Sequence, residues 1–148
     1  METTVYIRQY LQEDFERLCQ IHDPARQEKL DLANLSEAFI PLSIATDREG
    51  LFDYQILVAE MEGFVVGFVA FTDDELAWLY VDREYSRHGI GTALVNVVLK
   101  KMHEPISIEV LTGNTPALNF YRKFGFEIVK TESGQMQGMK SFLLPFIH

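Results

Sequence analysis

One junction constrains this chain more than any other segment. Leu76-Ala77-Trp78-Leu79-Tyr80-Val81 reads as a strand. Leu94, Val95, Val98, Leu99 and Met102 line one apolar face of a helix predicted from Thr92 to Met102. Between them lies Arg87-His88-Gly89-Ile90-Gly91-Thr92. A strand, a glycine turn and a helix start in this order gather backbone N–H groups at the positive end of the helix dipole. Such a spot binds phosphate with little help from side chains. The junction therefore predicts a phosphorylated ligand and a sheet with a helix packed on it.

Two phosphate motifs are excluded. The dinucleotide fingerprint needs a third glycine at position 94, where the chain has Leu94, and an earlier place in the chain. A P-loop needs Gly-Lys-Ser/Thr after four intervening residues, and that is absent.

Charge supports an anion at the turn. The chain has 148 residues and a net charge of −9. Residues 1–82 carry −12 and residues 83–123 carry +3, from Arg83, Arg87, Lys100, Lys101, Arg122 and Lys123 against Glu84, Glu104 and Glu109. An anionic ligand near the turn and a cationic partner near the acidic half fit this split. Nothing forms a long basic stripe, so nucleic acid is not an expected partner. No apolar run suits a bilayer and no leader is visible, so no membrane partner and a cytoplasmic location are expected. Cys19, the single cysteine, sits at helical spacing among Phe15, Leu18 and His22 and reads as a packed thiol.

The remaining elements follow from periodicity. Val5–Arg8 reads as a strand, and Glu13 to Leu30 as a helix with a break at Asp23-Pro24. Asn34 to Ile44 is a weaker helical stretch interrupted by Pro41. Tyr54–Glu60 and Phe64–Thr72 form a hairpin about Met61-Glu62-Gly63. Asp73-Asp74-Glu75 reads as a solvated turn. Ile106–Leu111 is a strand that a right-handed crossover would set parallel to 76–81. Thr115 reads as an N-cap, Pro116 as the first residue of the next helix, and Gly125 as its left-handed end. Glu127–Thr131 and Met136–Leu144 are the closing strands, whose edge leaves room for a homodimer. The sum is a single α+β domain over 1–148: a mixed, mostly antiparallel central sheet flanked by helices, with one βαβ unit.

The junction and a second segment together resemble a known family. Leu79-Tyr80-Val81 followed by Ser86-Arg87-His88-Gly89-Ile90-Gly91-Thr92-Ala93-Leu94 is similar to the acetyl-CoA motif of the GNAT N-acetyltransferase superfamily, Gln/Arg-x-x-Gly-x-Gly/Ala. Asn114-x-x-Ala117-x-x-Phe120-Tyr121-x-Lys123-x-Gly125-Phe126 is similar to its second motif. The first motif position holds Ser86 instead of Gln or Arg. The resemblance implies a GNAT-like fold whose βαβ unit forms the acetyl-CoA site, with acetyl-CoA as cosubstrate. It assigns the pyrophosphate to Arg87, His88, Gly89, Ile90, Gly91 and Thr92, and the pantetheine arm to the edge of Leu79, Tyr80 and Val81. It also assigns Asn114, Ala117 and Phe120 to the cofactor, and a Val81 N–H to the developing oxyanion.

The same resemblance implies acetyl transfer to an amine by direct attack, with Tyr121 as general acid. Tyr121 also fits a core aromatic on a helix face. Glu109 stands twelve residues before Tyr121, as does the base of ribosomal-protein alanine N-acetyltransferases, and reads either as that base or as a strand-end carboxylate. The acceptor reads as a small cationic amine or as a peptide N-terminus. A non-catalytic acyl-CoA sensor is the alternative from another class. His22, Asp23, Arg26 and Glu28 are candidates to line the acceptor site, though no motif places them there. No metal site is expected.

Overall fold

The computed structural model describes residues 4–131 and 136–141. Four strands, β1 (Tyr6–Gln9), β2 (Gln55–Met61), β3 (Phe64–Phe71) and β4 (Leu76–Val81), form an antiparallel sheet in chain order. A second sheet has the order β5 (Ile106–Leu111), β7 (Met136–Ser141), β6 (Glu127–Thr131). The last strand thus lies inside this sheet, with β5 and β6 on either side of it. Residues 142–144, expected to extend it, lie outside the described residues.

β4 and β5 are parallel, as the crossover rule requires, but they meet at one bridge only, between Glu75 and Ser107. The expected central sheet is therefore two sheets joined at one end. Two anchors hold that end: Ser107 N–H donates to Asp74 O at 2.8 Å and His103 N–H to Asp73 O at 2.7 Å. Just beyond it β4 carries a bulge. Ala70 pairs with Trp78 and Phe71 with Leu76, which leaves Ala77 without a partner on β3. A bulge bends its strand, and past this one β4 and β5 make no further bridge.

Helices close both faces. α1 (Phe15–Leu32) runs through Pro24 without the expected break. Pro24 forfeits one helical bond. Burial of Leu18, Ile21, His22 and Leu30 along one face of α1 outweighs that loss. α2 is Leu42–Glu49, with Pro41 as its N-cap, so Pro41 begins a helix where an interruption was expected. α1 and α2 cover Ile56, Val58, Phe68 and Trp78 on one face of the first sheet. α3 (Ile90–Leu99) buries Ile90, Leu94, Val95 and Val98 against the other face. α4 is Thr115–Arg122, and its N-cap is Asn114 instead of the expected Thr115. Gly125, at φ +94°, ends its last turn, and Phe126 is fully buried behind it.

Candidate functional site

The glycine turn is built as a donor nest. Arg87 and Gly89 are both left-handed, at φ +71° and +73°, and Gly89 caps α3. A left-handed Arg costs about 1–2 kcal/mol that a glycine would not. The turn aims its amides outward: none of the N–H groups from Arg87 to Thr92 has an acceptor among the described residues. Arg87, His88, Gly89 and Thr92 are exposed, whereas Ile90 is buried and anchors the turn. Gly91 faces Phe120, whose ring would lie 3.5 Å from any added Cβ. Cradle and α4 thus sit side by side.

The cleft between β4 and β5 leads from this cradle. Asp82 N–H bonds Val66 O on β3, so alternation turns the N–H and C=O groups of Leu79 and Val81 away from β3, towards β5. A slot of about 60 Å³ lies there. Its walls include Leu79, Tyr80, Glu109, Asn114, Ala117 and Tyr121. Of the residues predicted from the sequence, two from β4, one from β5 and three from the α4 motif thus meet here. Val81, His88 and Phe120 are not in the slot wall.

Local chemistry sorts these residues. Asn114 is buried, and its Oδ1 accepts the N–H of Ala117 at 3.3 Å. Its amide nitrogen is left for the slot. Tyr121 is buried with its ring edge-on to Phe120 and Phe126, so it is both a core aromatic and a slot wall. Burial pushes its hydroxyl pKa well above the ordinary tyrosine range. Glu109 is exposed and reaches the slot from β5.

A second cavity, of about 190 Å³, opens beyond Ala77 and Tyr80. It shares Arg26, Ala77, Tyr80 and Glu109 with the slot and adds Glu49, Glu75, Tyr54, Trp78 and His22. Tyr54 Oη donates to Glu75 Oε1 at 3.0 Å. His22 is buried against Tyr80, with ring centroids 4.7 Å apart, and burial lowers its pKa more than Asp23 raises it. Its Nδ1 lies 2.9 Å from Asp23 Oδ1, and because a carboxylate oxygen only accepts, Nδ1 is the donor. Of the four residues considered for this site, His22 and Arg26 line it. Asp23 instead accepts the Leu42 N–H at the start of α2, and Glu28 pairs with Arg83 on the surface at 3.4 Å.

A family profile described as an acetyltransferase (GNAT) domain matches residues 52–128. The chain belongs to the GNAT acetyltransferase family. It is an acetyl-CoA-dependent N-acetyltransferase. Among relatives of this GNAT chain, an uncharacterized N-acetyltransferase, YafP of Escherichia coli (strain K12), is 27% identical over 138 residues, 90% of this chain and 89% of that one. The peptidyl-lysine N-acetyltransferase YiaC of the same organism is 40% identical over 73 residues, 49% of each chain. The PaiA N-acetyltransferase of Thermoplasma acidophilum, solved with coenzyme A, superposes with a TM-score of 0.74 at 20% identity, over 94% of this chain and 99% of that one. That likeness shows the GNAT fold. No helix among the described residues is long and apolar enough to cross a membrane.

Sequence reasoning missed Lys29, Glu49, Tyr54, Glu75 and Trp78. They come from α1, α2, the turn before β2 and the start of β4, and only the tertiary fold brings them to the cleft. Lys29 alone left a trace. It stands at helical spacing from Leu18, His22 and Ala25, a charge on a face that is otherwise apolar or aromatic.

Proposed function

We propose that this N-acetyltransferase acts on the primary amine of a small molecule with a second cationic group. The observation that carries the reading is the 190 Å³ cavity. Glu49, Glu75 and Glu109 face it together with Tyr54, Trp78 and Tyr80, against one fixed cation, Arg26. Carboxylates attract ammonium groups, and aromatic faces hold them by cation–π attraction. Similarity to the peptidyl-lysine N-acetyltransferase YiaC makes a peptide amine the second reading. The small volume of the cavity, about 190 Å³, and its carboxylate-rich lining support the smaller acceptor.

In this reading the free N–H groups of Arg87 to Thr92 seat the pyrophosphate, and the edge of Leu79 and Val81 that faces away from β3 pairs with the pantetheine arm. Asn114 and Ala117 border the thioester. Holding amine and thioester in attack geometry supplies as much as about 7–11 kcal/mol of the barrier. Glu109 lines both cavities, so it can take the proton from the attacking nitrogen and pass it to solvent. The Val81 N–H supports the oxygen charge that develops. Tyr121 directs its hydroxyl at the departing sulfur. Its burial holds that proton firmly, so the hydroxyl serves as hydrogen-bond donor, and full transfer needs a more acidic neighbour.

An acceptor panel tests this. Thiol release from acetyl-CoA is measured with 1,4-diaminobutane, with butylamine and with a peptide bearing a free N-terminus. The diamine is expected to give the highest kcat/KM, at least about tenfold above butylamine, as one charge-assisted contact allows. Glu75→Gln should shrink that margin. A peptide that outpaces the diamine would replace this reading with the second one.

A further inference from the structure

The slot contains a charged group that the reading above does not use. Lys29 reaches it from α1, and its Nζ donates to Leu79 O at 3.0 Å. The same Nζ lies 4.0 Å from the centroid of the Tyr80 ring. No carboxylate pairs with it among the described residues. Lys29 is half-buried, and its ammonium lies against the carbonyl and the ring. Its surroundings are the slot walls: Tyr80 from β4, Glu109 from β5, Asn114 and Tyr121 from α4, with Arg26 and His22 on its own helix.

We propose that Lys29 is a further catalytic residue, the acid that protonates the coenzyme A sulfur as it leaves. This rests on the reading that acetyl transfer takes place in the β4–β5 cleft. In the step, the acceptor nitrogen forms its bond to the carbonyl carbon and the C–S bond breaks. The electron pair of that bond stays on sulfur, and a Lys29 N–H proton moves onto it. The acceptor's own proton leaves by Glu109, and neutral Lys29 is recharged from solvent.

Position favours this role over that of a base. Lys29 lines the thioester slot and is not among the residues of the acceptor cavity, whereas Glu109 belongs to both. Both of its contacts, a carbonyl oxygen and an aromatic face, select the ammonium form. Energetics agree. Burial, with repulsion from Arg26, pulls Lys29 down to about 7. A thiol ordinarily titrates near about 8.5, so proton transfer from Lys29 to sulfur runs downhill, whereas from buried Tyr121 it runs uphill. The contact also engages the Leu79 carbonyl, on the edge assigned to the pantetheine arm, so the ammonium waits where the cosubstrate arrives.

The test follows kcat against pH by thiol release from acetyl-CoA, with and without 1,4-diaminobutane, for wild type, Lys29→Met, Lys29→Arg and Tyr121→Phe. Coenzyme A affinity and the titration of the Lys29 side chain by NMR are measured alongside. Wild type should lose rate as pH rises through about 7, and Tyr121→Phe should keep that limb. Lys29→Met should lower kcat by about 100-fold or more and abolish the limb. Lys29→Arg keeps the charge but cannot release its proton, so it should bind coenzyme A like wild type and turn over like Lys29→Met. The Lys29 resonance should titrate near neutrality and shift when coenzyme A is added. Full activity in Lys29→Arg, a limb that survives in Lys29→Met, or a Lys29 resonance that titrates near about 10.4 would overturn the proposal. If Tyr121→Phe and Asn114→Ala were equally silent, the cleft reading itself would fall. If Lys29 alone were silent, only this proposal would.

Discussion

Asn114 Oδ1 accepts the N–H of Ala117 at 3.3 Å, so the residue that starts α4 also borders the slot between β4 and β5. The two roles separate by substitution. Asn114→Ala should cost about 1 kcal/mol of stability through the lost cap and also lower kcat/KM. Asn114→Asp should keep the cap, and with it the melting temperature, yet lose activity because it brings a negative charge and no amide N–H. Thermal melts and thiol release on both variants check this.

The donor nest depends on left-handed backbone at Gly89. Its missing Cβ would meet nothing within 4 Å, so Gly89→Ala tests conformation without a clash. The substitution should cost about 1–2 kcal/mol and weaken coenzyme A binding as the turn relaxes. A calorimetric titration that returns wild-type affinity would remove the turn from its assigned role.

The parts of the fold legible in the sequence are those set by local pattern. β4 and β5 occupy the predicted residues because β-branched and aromatic residues, bounded by turn residues, leave little choice. Gly125 and Phe126 ended α4 as their types require. What escaped was decided at a distance. Pro24 stays helical because the neighbouring face is buried, and the divergence of β4 and β5 depends on a bulge at Ala77 that only pairing with β3 reveals. The same limit applies to the site. The motifs held the residues from Leu79 to Tyr121 that meet in the slot, whereas Glu49, Tyr54 and Glu75 of the second cavity carry no spacing that a linear reading detects.

Arg8 ties β1 to the start of α1. Its guanidinium grips both oxygens of Asp14 at 2.9 Å and also reaches Glu60 at 3.1 Å. The Asp14 carboxyl, nearly buried, is held below its ordinary pKa mainly by Arg8. A group depressed in the folded state stabilises above its unfolded pKa of about 3.9, and that contribution is lost as pH falls through the folded value. Asp14→Asn should therefore lower stability by about 1.5–3 kcal/mol at neutral pH, and the gap to wild type should narrow in acid. Urea denaturation at neutral and acid pH checks the sign.

The central claim is that acetyl leaves coenzyme A beside Tyr121, between the diverging strands. The direct measurement is kcat for thiol release at saturating 1,4-diaminobutane, wild type against Tyr121→Phe, with coenzyme A affinity as control. The substitution removes one hydroxyl from a buried ring and leaves its packing on Phe120 and Phe126 in place. A fall in kcat of about 100-fold with unchanged affinity is expected. Equal rates in the two proteins would contradict the account.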